Sequence, residues 1–105
     1  MTMTMEDRKD VAINIIQQIP KMTKMAVGYR EPQMHEDADG TGLVFRVNSK
    51  PYRYCSVILT ANDTYNVCYF RIKRGSYQRV EIARDTDVYA ENLGETIYSL
   101  TQRGD

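Results

Sequence analysis

The sequence predicts an α+β fold with an N-terminal helix, an antiparallel meander of four or five strands, and a C-terminal helix. Apolar residues recur at helical spacing between residues 6 and 19, alternate with period two between residues 43 and 83, and return to helical spacing after residue 86. The chain has 105 residues. This length fits one domain with one core, so we expect residues 1–105 to form a single domain.

The first helix is predicted over residues 6–19. Its apolar side consists of Val11, Ile15, Ile16 and Ile19. Pro20 follows and ends the helix, because the residue before a proline is disfavoured in helical backbone angles.

The next segment, residues 21–34, carries a weaker pattern. Met25, Val27 and Tyr29 alternate as in a short strand, which would be the fifth strand of the sheet. Pro32 either ends this strand or confines it to a sheet edge, since proline cannot donate a ladder hydrogen bond. Residues 35–42 are polar, contain two glycines and are predicted to form a loop.

Four further segments are rich in β-branched and aromatic residues and are separated by turn sequences, which predicts a meander of strands. These segments are LVFRVN at 43–48, YCSVILTA at 54–61, TYNVCYFRIK at 64–73 and YQRVEIA at 77–83.

The pairing of these strands follows from their apolar residues, because residues directly opposite each other share a face. A two-residue turn at 62–63 would place Val57 opposite Cys68, and a three-residue loop at 74–76 would place Phe70 opposite Val80. The resulting apolar face consists of Cys55, Val57, Leu59, Cys68, Phe70 and Ile72. The two cysteines then lie diagonally on one face, and we expect free core thiols.

The same register collects tyrosines and bases on the second face. Its members are Tyr54, Ser56, Ile58, Thr60, Tyr65, Val67, Tyr69, Arg71, Lys73, Tyr77, Arg79 and Glu81. We expect both helices to cover the apolar face and to leave this tyrosine face open; one helix on each face is the alternative. Such a face suits stacked bases, a protein contact or plain solvent exposure.

The C-terminal helix is predicted to start at Thr86 or Asp87 as the N-cap. Its apolar stripe consists of Tyr89, Leu93, Ile97 and Leu100. Gly94 within it costs about 1 kcal/mol relative to alanine, so it either weakens the helix prediction or marks a close backbone contact. Asp87, Glu91 and Glu95 would align on one side of this helix. Such a row is either a solvated face or an imitation of a nucleic-acid backbone in a basic channel.

Charge and motifs exclude several classes of function. The formal net charge is zero, which argues against a dedicated binder of duplex DNA, although residues 41–84 hold eight bases and two acids. The single histidine and the absence of phosphate-loop or metal-ligand spacing argue against an enzyme, a metal or a cofactor. The segment HEDADG at 35–40 resembles a calcium loop, but Arg46 occupies the position of the required glutamate. No apolar run spans a membrane and no secretory signal precedes residue 10, so we expect a cytoplasmic protein.

The order of GLVFRVNS, SVILTANDTYNVCYFRIKRG and DVYAENLGETI resembles a group of small proteins carried by phages and mobile elements of gut bacteria. The resemblance covers roughly residues 24–98 and includes no catalytic motif. It implies a type II anti-CRISPR protein that blocks an RNA-guided DNA nuclease in the bacterial host cell. This chain departs from strongly acidic anti-CRISPR proteins in being neutral.

The hypothesis from the sequence is therefore a non-enzymatic inhibitor that binds a host protein and blocks DNA loading or cleavage sterically. The candidate contact residues are Tyr65, Tyr69, Arg71, Tyr77 and Arg79 on the sheet, or Asp87, Glu91 and Glu95 on the last helix. One alternative is a single-stranded nucleic-acid accessory protein that uses the tyrosine face. Another is a phage structural subunit that forms homo-oligomers through the strand at 77–83.

Overall fold

A computed structural model describes residues 4–48 and 51–102. Its elements are α1 (Met5–Gln18), α2 (Lys21–Val27), β1 (Arg30–Asp37), β2 (Gly40–Arg46), β3 (Arg53–Thr60), β4 (Tyr65–Ile72), β5 (Arg79–Val88), a 3₁₀ turn (Ala90–Asn92) and α3 (Leu93–Thr101). The strands form one antiparallel sheet in the order β1-β2-β3-β4-β5. The predicted α+β fold, with helices at both ends of the chain and a meander between them, is confirmed.

The first helix begins and ends where local chemistry requires. Thr4 accepts a hydrogen bond from the backbone of Asp7, and the Asp7 carboxylate accepts one from the Thr4 backbone, which satisfies two otherwise free N–H groups. Ile19 leaves the helical conformation immediately before Pro20. None of the helices in the described ranges is long and apolar enough to span a membrane.

Two predictions for residues 21–42 are wrong. Residues 21–27 form a helix that Gly28 ends in the left-handed conformation, so the alternation of Met25 and Val27 marks no strand. The fifth strand is β1, which turns into β2 at Asp37–Gly40 where the sequence predicted a loop. Pro32 lies within β1, which is at the edge of the sheet, and neither ends nor flanks a strand at residues 25–29.

The core lies between one face of the sheet and the helices. Ile15 of α1, Phe45 of β2, Val57 of β3 and Ile97 of α3 belong to one buried cluster, in which α1 lies over β2 and α3 lies over β4 and β5. No helix of the described ranges contributes side chains to a cluster on the opposite face, which we call the open face. The preferred arrangement, with the helices on one side of the sheet, is therefore confirmed.

The predicted register of β4 against β3 is wrong by one residue. The loop that joins the strands has three residues, 61–63, and Asp63 adopts a left-handed conformation with φ of 61°. Val57 therefore lies opposite Val67, and Cys55 opposite Tyr69. Because side chains alternate between faces, this slip turns every residue of β4 to the side opposite the prediction.

Tyr65 and Tyr69 consequently lie in the core and not on an exposed face. Their exposed fractions are 6% and 1%. Burial of a tyrosine side chain costs little free energy only when its hydroxyl forms a hydrogen bond. The Tyr65 hydroxyl donates to Gln18 Oε1 at 2.6 Å, and the Tyr69 hydroxyl accepts from Asn48 Nδ2 at 3.0 Å. The rings fill the core while the hydroxyls reach polar groups at its border.

The β4–β5 connection also differs from the prediction. It has four residues, Arg74–Tyr77, and is closed by a hydrogen bond from the Lys73 backbone N–H to the Gln78 carbonyl at 2.7 Å. Phe70 therefore lies opposite Glu81 and not Val80. Two irregularities in the pairing then carry β5 on to Val88, well past the predicted end.

The longer β5 shortens the last helix. Asp87 is a strand residue with φ of 55°, so neither it nor Thr86 is the N-cap. Glu91 lies in the 3₁₀ turn and Glu95 in α3. The three acids belong to three different elements, and the predicted carboxylate row on one helix does not form.

Of the two interpretations of Gly94, the structure shows the close contact. A Cβ atom at this position would lie 2.6 Å from Pro20 Cδ and 2.9 Å from Thr23 Oγ1. The start of α3 therefore packs directly on the start of α2, where the proline ring cannot move aside.

We expect Gly94→Ala to lower the free energy of unfolding by about 1 kcal/mol, because the clash with Pro20 exceeds the roughly 1 kcal/mol that alanine contributes to a helix. Denaturant unfolding measures the change. In a Pro20→Ala background the same substitution should be neutral or stabilising. Equal effects in the two backgrounds would show that the contact with Pro20 is unimportant.

We expect Tyr65→Phe to lower the free energy of unfolding by about 1 kcal/mol near neutral pH. We also expect the stability of this variant to fall less than that of the wild type as the pH rises above about 10. Burial raises the pKa of Tyr65, so the unfolded chain releases this proton at a lower pH than the folded protein does. Wild-type stability therefore falls as the pH rises past about 10. Unfolding curves between pH 7 and 11 test this, and parallel pH profiles for the two proteins would contradict it.

Candidate interaction surface

The open face carries arginines and aromatic rings on four strands, β2 to β5. Its inner members are Arg46, Tyr54, Ser56, Cys68, Phe70, Arg79, Glu81 and Arg84, as the register of β2 to β5 requires. The one-residue slip of β4 placed Phe70 here in exchange for Tyr69. It also placed Phe70 directly opposite Tyr54.

Tyr54 and Phe70 form the centre of an arginine–aromatic stack. Their ring centroids are 5.6 Å apart and the rings are nearly parallel, at 16°. The guanidinium carbon of Arg79 lies 3.8 Å from the Phe70 centroid, and that of Arg46 lies 5.9 Å from the Tyr54 centroid. Phe70 is only 4% exposed, although it is on the open face, because Tyr54 and Arg79 cover it.

Arg79 is the charged group that this stack presents to a ligand. Its Nη2 donates to the Ser56 hydroxyl at 3.3 Å, which fixes the guanidinium over the ring. Arg46 instead pairs with Glu31 at 3.0 Å, and Arg84 pairs with Glu81 at 2.7 Å. Within the described ranges Arg79 forms no ion pair, so its charge is oriented but not neutralised.

A small cleft borders the stack on the β1 side. It has a volume of about 210 Å³ and is lined by Glu31, Gln33, Val44, Arg46 and Tyr54. The lining is mainly polar and includes the Glu31–Arg46 ion pair, and the volume of the cleft is about that of one side chain. The described ranges contain no group of three His, Cys, Asp or Glu side chains that could hold a metal ion.

The two cysteines lie on opposite faces of the sheet, and the prediction that they share one face is wrong. Cys55 points to the core, whereas Cys68 points to the open face, where it donates to Glu81 Oε1 at 3.6 Å. Both are free and buried, as expected. Burial raises the pKa of each thiol, that of Cys55 far more, so neither forms a thiolate readily.

The sheet is basic at one end and acidic at the other. The antiparallel order brings the start of β1, the end of β2, the start of β3 and the β4–β5 turn to the same end. The cations at this basic end are Arg30, Arg46, Arg53, Arg71, Lys73, Arg74 and Arg79. The opposite end carries Glu36, Asp37, Asp39, Asp63 and Asp87. A neutral chain therefore has a strong local field at each end.

The structure regroups the eight contact residues that the sequence suggested. Tyr65 and Tyr69 are buried in the core and cannot contact a partner. Arg71, Tyr77 and Arg79 lie at the basic end, but Arg71 and Arg79 point to opposite faces of the sheet, so the prediction that they share a face is wrong. Asp87, Glu91 and Glu95 lie on separate elements and form no row.

The sequence reasoning missed Arg46 and Tyr52 as surface residues, and it did not place Phe70 beneath Tyr54 and Arg79 on the open face. The sequence signal for the correct register was the turn Ala-Asn-Asp at 61–63 with a threonine on each side. In the structure the hydroxyl oxygens of Thr60 and Thr64 lie 3.2 Å apart. A threonine pair with aspartate before the second threonine fits a three-residue loop with a left-handed third residue. That loop gives the observed register.

Comparison with protein families, curated proteins and solved structures finds no match to this chain. Functional inference therefore rests on the surface just described.

We expect both thiols to resist a disulfide-forming oxidant and a thiol-labelling reagent at pH 8 in the folded protein, since each is buried and holds its proton. Both should label at once in guanidinium. The single variants Cys55→Ser and Cys68→Ser identify which thiol reacts first. A Cys55–Cys68 disulfide detected by mass spectrometry in the folded state would contradict their placement on opposite faces.

Proposed function

We propose that this chain is a non-enzymatic inhibitor that binds a host protein through the open face of its sheet. In its sharpest form the partner is a type II RNA-guided DNA nuclease in the bacterial cytoplasm, as the resemblance to phage-type proteins implies. The observation that supports a binding role most directly is the arginine–aromatic stack, which lies on a face that no described helix covers.

The composition of the stack is that of a protein contact. Tyrosine and arginine are enriched among the residues that supply most binding energy at interfaces. Arg79 is already held by Ser56 and Phe70, so little side-chain freedom is lost when a partner binds. The adjoining cleft beside Tyr54 offers a pocket for one anchoring side chain.

The inhibition would be steric. A domain bound near the DNA channel of the nuclease prevents DNA loading, or it blocks the motion that licenses cleavage. Imitation of the DNA backbone by a helical carboxylate row has no support, because Asp87, Glu91 and Glu95 lie on three elements.

A base-stacking platform on the open face is also unsupported. Tyr65 and Tyr69 are buried, and Tyr54 and Phe70 stack on each other. Arg79 lies over Phe70 as well. A base would have to displace these groups before it could stack there.

The test is a pull-down of purified type II nucleases from gut bacteria, each with and without guide RNA. We expect a complex with at least one nuclease. Arg79→Ala should then weaken binding about 30-fold or more, the loss typical of a central interface arginine. Arg79→Lys should recover only part of it, since lysine keeps the charge but not the planar contact.

The matched control reverses the charges of Asp87, Glu91 and Glu95 to lysine. It should leave binding within a few-fold, and circular dichroism confirms that each variant folds. If no nuclease forms a complex, the proposed identity of the partner is wrong. A complex that survives Arg79→Ala but fails with the charge reversal would move the contact to the acidic residues.

A further inference from the structure

The basic end of the sheet places like charges next to each other. In the register of the strands Arg53 lies directly opposite Arg71, and Arg30 lies directly opposite Arg46. Like charges in this position lower the stability of a sheet. An anion bound beside Arg71 would offset part of this repulsion.

Some of these cations have structural partners, and others do not. Arg30 donates to the carbonyls of Asn48 and Gly28, and Arg46 pairs with Glu31. Arg71, Lys73 and Arg74 have no acidic partner among residues 4–48 and 51–102. They follow one another on the strand end and the turn, so three unneutralised charges lie within a few residues.

Two tyrosines flank these charges. The Tyr52 carbonyl accepts from the Ile72 N–H at 3.0 Å, and the Tyr77 N–H donates to the Lys73 carbonyl at 2.8 Å. Both tyrosines therefore lie beside the Ile72–Lys73 segment. Tyr52 is 38% exposed and Tyr77 is 76% exposed, and neither belongs to the buried core cluster.

Both tyrosines also have left-handed backbone angles, with φ of 64° for Tyr52 and 58° for Tyr77. A bulky side chain is strained in this conformation, which glycine or asparagine adopts at lower cost. At the largely exposed Tyr77, asparagine would relieve the backbone strain with little loss of packing. Two such residues beside three free cations indicate a ligand that uses their rings.

We propose that the basic end binds single-stranded nucleic acid. Arg71, Lys73 and Arg74 would contact successive phosphates, and Tyr52 and Tyr77 would stack on unpaired bases. The rings favour a single strand, since the bases of a duplex are already stacked on each other. An acidic protein would use the cations but not the rings. This site is separate from the contact through Arg79 and does not depend on the proposed inhibitor function.

The first experiment measures fluorescence anisotropy of a labelled 20-nucleotide oligo(U) and a labelled oligo(dT) with the intact chain. Three phosphate contacts on a single strand predict a roughly 20-fold loss of affinity between 50 and 200 mM salt. Lys73→Gln with Arg74→Gln should reduce this salt effect to about three-fold. The control Lys9→Gln with Lys21→Gln removes the same charge from α1 and α2 and should leave affinity within two-fold.

The second experiment separates binding from folding. Tyr77→Asn suits the left-handed backbone, so its melting temperature should equal or exceed that of the wild type. Its affinity for oligo(U) should nonetheless fall roughly ten-fold, the effect of losing one stacked base. Tyr77→Phe keeps the ring and should retain wild-type affinity.

Several outcomes would overturn the proposal. One is the absence of oligonucleotide binding at 50 mM salt. Another is equal loss with the Lys9 and Lys21 control, which would indicate a net-charge effect only. Unchanged affinity in Tyr77→Asn, with poly-glutamate competing as well as oligo(U), would assign the basic end to an acidic protein. None of these results bears on the nuclease pull-down, so the two proposals fail independently.

Discussion

The three-residue turn at 61–63 sets the register of β4 against β3, and the rest of the molecule depends on it. Asp63 takes the left-handed conformation there, and Thr60 and Thr64 close the turn by backbone hydrogen bonds. One residue fewer would reverse every side chain of β4. In the observed register the core gains two tyrosine rings, whose hydroxyls reach Gln18 and Asn48.

The same constraint creates the surface on the other side of the sheet. When Tyr69 turns inward, Phe70 turns outward and lies opposite Tyr54. Arg79 then covers the Phe70 ring and is oriented by Ser56. Core packing and the candidate contact are thus two consequences of one turn, because alternation along a strand links its two faces rigidly.

The meander also decides how charge is distributed in space. Residues 41–84 hold most of the bases, but their separation into a basic and an acidic end follows from folding the strands back on one another. Zero net charge weakens attraction to a polyanion beyond the screening length, whereas a local cluster of cations can attract one at short range. The RNA-loaded nuclease that we propose as the partner would offer charge of both signs to such a surface.

The sequence by itself determined the class of fold, a helix towards each end of the chain and the approximate positions of β2 to β5, because these follow from local periodicity. It did not reveal α2, whose residues it assigned to a strand, and it left open whether Gly94 weakens the last helix or marks a close contact. Only the tertiary structure decided which face each residue of β4 occupies. Apolar counting favoured Phe70 over Tyr69 as the core residue, yet a tyrosine enters a core freely when its hydroxyl finds a partner distant in sequence, as Tyr69 does in Asn48. The extent of β5, and with it the separation of Asp87 from Glu91 and Glu95, likewise depended on pairing with β4, which no local pattern encodes.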